Sequence, residues 1–267
     1  MKLIFSVFIF SLLLLGCKSE NKEEKEIAIE ETPVVQQEEE TPVQNAPEIH
    51  PVSHATAVIN WDDTTIYLDP VGGEEAFKGM EKPNLVLITD IHGDHLDAKT
   101  LNALKLGDTK IIVPKAVKDE LPKSFSGNLE IVNNGETVEE QGLSIKAIPM
   151  YNLREEAKQF HAKGRGNGYV LEKDGFRLYI AGDTEDIPEM RNLKNIDVAL
   201  VPMNLPYTMT VEKAADAVLE FAPKKVYPYH YRGKDGKSDV QKFKELVDKG
   251  NKDIEVVLVD WYPNEDK

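Results

Sequence analysis

The chain has almost no cysteine and fewer basic than acidic side chains. Cys17 is the only thiol among its 267 residues, which excludes an intramolecular disulfide and a zinc site made of several thiolates. The 32 Lys and Arg residues are outnumbered by 47 Asp and Glu residues, so the formal net charge is −15. Because this charge repels phosphate backbones, we expect no nucleic-acid partner.

Two widespread catalytic motifs are also missing from the sequence. It contains neither the G-x-S-x-G turn of serine hydrolases nor the G-x-x-x-x-G-K-[ST] loop that binds nucleotide phosphates. Hydrophobic residues make up 41% of the chain, which is enough for a sizeable core. The composition therefore predicts a globular protein whose chemistry depends on neither of these two motifs.

No apolar run is long enough to span a bilayer. The longest, residues 3–15, would form a helix of about 20 Å, whereas the hydrocarbon core is about 30 Å thick. Lys2 precedes this run and Gly16-Cys17 follows it, which is typical of a secretory signal. Leu14-Leu15-Gly16-Cys17 resembles the lipobox of bacterial lipoproteins. That resemblance implies a signal peptide at residues 1–16, lipid on Cys17 and export to a bacterial membrane, on its periplasmic side or at the cell surface; an ordinary cleaved signal is the alternative.

The next segment is acidic and poor in apolar residues. Residues 18–48 contain ten Glu and three Lys, three prolines and no aromatic side chain. Such a composition does not offset the entropy of ordering a chain. We therefore interpret residues 17–48 as the lipidated cysteine with a disordered acidic tether, and residues 49–267 as one folded domain.

Short β-branched and aromatic runs alternate with helical patterns after residue 49. Eleven such runs predict strands, and the Lys173-Asp174-Gly175 turn predicts a hairpin. Helical spacing of apolar residues is present in four segments, one of which follows Thr210 and another Ser238-Asp239. The mixture predicts an α/β fold of two sheets packed face to face, with helices outside, in a single domain.

One loop carries four possible metal ligands within six positions. The apolar run Leu85–Ile88 leads directly into residues 89–95, with the sequence T-D-I-H-G-D-H. Asp90 and His92 are two residues apart and point the same way in extended backbone, whereas Asp94 and His95 can face a second centre. One loop can therefore hold two cations about 3.5–4 Å apart, the spacing of two-metal hydrolytic sites.

Further polar side chains follow other predicted strands. Asp183 comes after the strand that ends at Ala181, His230 after the strand that ends at Tyr229, and Asn152 shortly after the strand that ends at Ile148. The sequence therefore predicts that these strand ends meet the 90–95 loop.

The order H-x-D-H, then G-D-T, then a late histidine resembles the metallo-β-lactamase superfamily. Ser53–Thr56, Gly166–Val170 and Tyr179–Thr184 further resemble the branch of ascorbate-phosphate lactonase-like and N-acyl-phosphatidylethanolamine phospholipase-like hydrolases. The resemblance covers residues 50–262. It implies a four-layer αβ/βα sandwich and a hydrolase that binds one or two divalent metal ions, with Zn²⁺ expected and Mn²⁺ or Fe²⁺ as alternatives.

The resemblance also implies a ligand set. The first cation would be held by His92 and the residue at position 90, the second by Asp94, His95 and His230, with Asp183 bridging both. This sequence has Asp90 where the family has a first histidine, and Asn152 where it has a third. His161 is the nearest substitute for the latter, and His161 and Asn152 both remain candidates.

The resulting hypothesis is a membrane-anchored hydrolase of a small ester, lactone or phosphodiester. Activated water would be the nucleophile, with Asp94 as the orienting base and Asp183 fixing the separation of the two cations. His54 is expected to orient a ligand carboxylate. Lys163, Arg165 and Arg232 are candidates for binding a phosphate or carboxylate, or for solvating the surface. The alternative hypothesis is a lipoprotein that binds metal without catalysis, as a scaffold or sensor.

Overall fold

The computed structural model describes residues 46–263, and the strands within this range form two large sheets and one small hairpin. The predicted signal, Cys17 and most of the predicted tether lie outside the described residues. The first sheet contains β1 (Glu48–Ser53), β2 (Thr56–Trp61), β3 (Thr64–Leu68), β4 (Leu85–Leu87), β5 (Lys110–Val113) and β6 (Leu129–Ile131). The second contains β7 (Thr137–Glu140), β8 (Leu143–Met150), β9 (Gly166–Lys173), β10 (Phe176–Ile180), β11 (Val198–Pro202), β12 (Lys225–Tyr229) and β15 (Glu255–Val256). The hairpin is made of β13 (Arg232–Gly233) and β14 (Gly236–Lys237).

Five α-helices accompany these strands in the described part of the chain. They are α1 (Ala98–Ala103), α2 (Lys115–Glu120), α3 (Pro188–Arg191), α4 (Val211–Phe221) and α5 (Val240–Gly250). Thr210 caps α4 by accepting a hydrogen bond from the Lys213 N–H, and Asp239 caps α5 in the same way from Lys242. None of the helices formed by residues 46–263 is both long and apolar enough to cross a membrane.

The two sheets have related topologies. In the first, β1, β2 and β3 form an antiparallel meander and β3 to β6 run parallel. In the second, β7 to β10 pair antiparallel in succession, while β10, β11, β12 and β15 run parallel. Asp174 and Gly175 have φ values of 50° and 81° and form the predicted hairpin turn between β9 and β10.

Alternating side chains of the strands build two hydrophobic layers. In β4, Leu85 and Leu87 point into the core between the sheets, whereas Val86 points outward and packs with Leu101 of α1 and Val117 of α2. The second sheet is covered on its outer face by α4 and α5, whose buried side chains belong to the larger cluster. These layers confirm the predicted single-domain αβ/βα sandwich.

The structure differs from the sequence-based prediction mainly in its short strands and one short helix. β1 begins at Glu48, one residue before the predicted domain boundary, and it alternates exposed and partly buried residues around Pro51. β7, β13, β14 and the four-residue α3 were not predicted because none contains a run of buried apolar residues. By contrast, β12 ends at Tyr229 and α4 follows Thr210, as the sequence predicts.

Candidate metal centre

Loops from both sheets converge at one edge of the sandwich. Asp94 and His95 follow β4 of the first sheet, whereas Asp183 and His230 follow β10 and β12 of the second. We use the name second cation position for the group formed by Asp94, His95, Asp183 and His230. His95 and His230 are buried, as is Asp183, while the Asp94 side chain is 41% exposed.

The donor atoms of this position lie at the separations expected of ligands around one ion. His95 Nε2 lies 3.2 Å from His230 Nε2 and 3.4 Å from Asp183 Oδ2. His230 Nε2 lies 3.3 Å from Asp183 Oδ1 and 3.4 Å from Asp94 Oδ2. Zinc bonds of about 2.0–2.2 Å at tetrahedral angles separate neighbouring ligand atoms by about 3.3–3.5 Å. His95, Asp183 and His230 therefore fit as ligands of one divalent cation, and Asp94 lies beside them through His230.

His95 is oriented by a buried carboxylate behind it. Asp69, directly after β3, accepts from His95 Nδ1 at 2.8 Å through Oδ2, and its two oxygens also accept the Thr89 N–H and hydroxyl at 2.7 Å each. A carboxylate can only accept here, so His95 Nδ1 carries a proton, and Nε2 is the ring nitrogen that faces the centre and would bind a cation. This carboxylate–histidine arrangement is typical of protein metal sites. Sequence reasoning had not assigned a role to Asp69, although its place immediately after a buried strand was a usable signal.

His54 lies against the second cation position, as predicted. Its Nε2 is 3.3 Å from Asp94 Oδ2, and its Nδ1 is 2.8 Å from the Tyr262 hydroxyl. Its ring is tilted by 46° against that of His230, with centroids 3.8 Å apart. Burial lowers the pKa of His54, although its hydrogen bond to Asp94 opposes this shift. The neutral ring fits a residue that positions the Asp94 carboxylate.

Asp183 lies between the two groups of ligands. Its Oδ2 is 3.1 Å from His161 Nε2 and 3.4 Å from His95 Nε2, and its buried Oδ1 accepts no hydrogen bond. Burial acts to raise the pKa of Asp183, but the imidazoles of His230, His95 and His161 hold it well below its usual range. A buried, ionised carboxylate with an oxygen that lacks a hydrogen bond fits a ligand of a divalent cation. Asp183 thus lies next to histidines of both groups, and its bridging of two cations stays a prediction.

The remaining predicted ligands form a second group, which we call the first cation position. It consists of Asp90, His92 and His161, whose ligand atoms lie within 4.8 Å of one another. Asp90 is buried and lies 2.7 Å from His92 Nδ1 through Oδ2, while the His92 side chain is 41% exposed. The 90–95 loop therefore serves two adjacent positions, as its alternation predicts.

The structure separates the roles of His161 and Asn152. His161 Nε2 faces Asp183, and its Nδ1 donates to the Tyr207 carbonyl at 3.1 Å. The Asn152 amide donates to the carbonyls of Ala157 and Tyr207, so it supports the loop that carries His161. His161 Nε2 thus faces the centre, whereas the Asn152 amide lies behind the His161 ring, so His161 is the better placed of the two candidates.

The three basic side chains that are candidates for binding an anion have different surroundings. Arg165 forms a two-pronged ion pair with Asp90, a contact not predicted from the sequence. Lys163 lies outside the centre and binds Glu189 at 2.7 Å. Arg232 lines the cavity above the metal centre and lies over the Tyr262 ring at 5.2 Å.

A cavity of about 270 Å³ opens onto both cation positions. His54, His92 and Asp94 form part of its wall, together with His161 and Asp183. Its other lining residues are Phe160, Asn204, Tyr207 and Arg232. The cavity can admit a small molecule to the predicted ligands.

Comparison with known proteins places the chain among metallohydrolases. The sequence model of the β-lactamase superfamily domain matches residues 48–230. The UPF0173 metal-dependent hydrolase of Methanopyrus kandleri is 30% identical over 219 residues, covering 78% of this chain and 95% of the relative. A UPF0173 metal-dependent hydrolase of Thermococcus onnurineus is 34% identical over 181 residues, covering 66% of this chain and 78% of the relative.

Solved structures agree with this assignment. A putative metal-dependent hydrolase from Parabacteroides distasonis is 38% identical, with a TM-score of 0.71, and covers 79% of this chain and 92% of its own. The metallohydrolase Igni18 from Ignicoccus hospitalis shares the fold at 24% identity, with a TM-score of 0.68 and coverage of 80% and 95%. With the sandwich, the strand-end ligands and these relatives in agreement, the chain belongs to the metallo-β-lactamase superfamily.

Proposed function

We propose that this metal-dependent hydrolase cleaves a small ester, lactone or phosphodiester with two divalent cations, zinc being the expected metal. The position of Asp183 carries the proposal, because one carboxylate contacts His161 on one side and His95 and His230 on the other. Bound cations would lower the pKa of water towards neutrality and polarise the substrate oxygen.

Asp94 is the residue best placed to orient the attacking water. Its carboxylate faces the cavity, and His54 and His230 contact its Oδ2 from one side. Burial acts to raise the pKa of Asp94, but its contacts with His230 and His54 hold the pKa below its usual value. The carboxylate therefore stays ionised and can accept a hydrogen bond from water at neutral pH.

The rest of the cavity favours a substrate with an anionic group beside an apolar one. Phe160 and Tyr207 meet edge to face, with ring centroids 5.2 Å apart. Arg232 lines the same cavity, and a guanidinium is suited to a carboxylate or phosphate. These side chains bind and orient the substrate, while Asp183 and the histidines hold the cations.

The test combines metal analysis with a substrate panel. The full chain, loaded with Zn²⁺, Mn²⁺ or Fe²⁺, is assayed on acyl esters, lactones and phosphodiesters, each with and without a carboxylate. We expect hydrolysis that is lost with a chelator and restored by metal. Asp183→Ala should lose more bound metal than His230→Ala, because Asp183 contacts both positions.

The rival hypothesis gives a different result. A scaffold or sensor would bind the cations with the same dependence on Asp183 and hydrolyse none of the three substrate classes. Equal loss of metal in Asp183→Ala and His230→Ala would indicate a single cation and contradict the bridging role.

Lipidation and membrane anchoring also belong to the proposal. They are supported by the lipobox-like sequence that ends at Cys17. The enzyme would then act on small molecules outside the cytoplasm, tethered to a bacterial membrane.

A further inference from the structure

Position 90 differs from the family pattern, and a second unusual residue lies against it. Arg165 Nε donates to Asp90 Oδ1 at 3.0 Å, and Arg165 Nη2 donates to Asp90 Oδ2 at 2.8 Å. The Asp90 carboxylate is fully buried, and the Arg165 side chain is only 18% exposed. Two parallel hydrogen bonds between a guanidinium and a carboxylate form a geometrically specific pair.

Arg165 is held in place independently of Asp90. Its Nη2 also donates to the Phe160 carbonyl, and its own N–H donates to the Ala162 carbonyl at 3.2 Å. Both acceptors belong to the segment that carries His161, another member of the first cation position. Arg165 therefore connects Asp90, in the loop after β4, to the loop that carries His161.

The charges explain why such a pair is needed. An imidazole ligand is neutral, whereas a buried aspartate adds a negative charge to the centre. Asp94 and Asp183 already supply one carboxylate each to the two neighbouring groups of possible ligands. Arg165 cancels the charge of Asp90, so the net charge at the first cation position equals that of a histidine at residue 90.

We propose that Asp90 and Arg165 replace the missing histidine as one electroneutral unit, with Arg165 as a positioning residue that fixes Asp90 and offsets its charge. This inference rests on the proposed two-cation function. It implies that a substitution of Asp90 or Arg165 alone weakens metal binding. Restoring a histidine at position 90 would leave the Arg165 guanidinium facing a neutral ring and a cation.

The test is a rescue experiment with metal binding as its readout. Zn²⁺ stoichiometry and affinity are measured by competition with a chromophoric chelator for the full-length wild type, Asp90→His and Asp90→His with Arg165→Met. We expect Asp90→His to weaken the weaker of the two sites about 10–100-fold, the range found when groups that support metal ligands are changed. The added Arg165→Met change should restore it to within a few-fold.

Two further comparisons keep the result interpretable. Asp90→Asn, alone and with Arg165→Gln, repeats the test with polar, uncharged side chains, and circular dichroism verifies the fold of each variant. Arg177→Met is the matched control: Arg177 is also mostly buried and ion-paired, but with Glu172 of β9, and should leave metal binding unchanged.

Each outcome has a defined meaning. If Asp90→His binds zinc as the wild type does, or if neither double variant improves on its single variant, Asp90 and Arg165 are not a unit. A wild type that holds only one cation also overturns the inference. A wild type that binds no divalent cation contradicts the proposed function itself.

Discussion

At the scale of single residues, the centre is formed by side chains on unusual backbone. His54, Asp69 and His230 have φ values of 55°, 43° and 47°, in the left-handed region that non-glycine residues seldom adopt. Each such residue costs on the order of 1–3 kcal/mol and persists only where its surroundings enforce it. These three of the nine non-glycine residues with positive φ in the described chain lie at or directly behind the second cation position, so the packing around the site must hold them in place.

The Asp69 carboxylate sets the protonation of His95. In Asp69→Asn, an amide NH₂ in place of Oδ2 cannot accept the Nδ1 proton, so the proton moves to Nε2 and blocks the cation. We expect zinc affinity at the second position to fall about 10–100-fold with little change in fold. Asp119→Asn on the exposed part of α2 is the control for chelator-competition titrations, and equal affinities in the two variants would contradict the orienting role.

His161 and Asn152 can be distinguished by metal content. His161→Ala removes a nitrogen that faces Asp183 at 3.1 Å and should release the cation at the first position. Asn152→Ala removes hydrogen bonds to the carbonyls of Ala157 and Tyr207 and a 3.2 Å contact with His161 Nδ1, on the side of the ring away from Asp183, and should retain the cation, with a loss of about 1 kcal/mol in unfolding free energy. Metal analysis and urea denaturation measure both effects, and the reverse pattern of metal loss would reassign the ligand.

At the scale of elements, strand ends were predictable and side-chain partners across loops were not. The alternation in residues 90–95 and the position of Asp183 and His230 after apolar strands were sufficient to bring these ligands together. The Arg165–Asp90 pair joins residues 75 positions apart, and its formation depends on the path of the loop between β8 and β9. His161 and Asn152 are both compatible with that loop until its hydrogen bonds are known.

The close approach of β9 and β10 depends on Gly168. A Cβ there would lie 2.7 Å from the Ala181 carbonyl oxygen and 2.8 Å from that of Ile180, both of them backbone atoms. Gly168→Ala should therefore separate the strands that lead to Asp183 and destabilise the fold by about 1–3 kcal/mol. Gly127→Ala meets nothing within 4 Å and is the matched control in thermal unfolding. Unchanged stability of Gly168→Ala would show that the strands adjust freely.

At the scale of the whole molecule, the lipid anchor is a prediction from sequence alone. If Cys17 is acylated, labelled palmitate should enter the protein expressed in a bacterium, and the protein should fractionate with membranes. Cys17→Ser should abolish the label and release the protein into the soluble fraction, with its metal content unchanged. A wild type that is unlabelled and fully soluble would contradict the lipoprotein assignment.

The sharing of ligands between the two sheets gives the cations a mechanical role. His95 and His230 are 135 positions apart, and their facing nitrogens are 3.2 Å from each other. An ion bound there cross-links the early and late parts of a chain that cannot form an internal disulfide. An ion present at 100 times its dissociation constant adds about 2.7 kcal/mol to the stability of the folded state. Resistance to unfolding, and with it lifetime against proteases, would therefore rise and fall with the supply of metal around the protein.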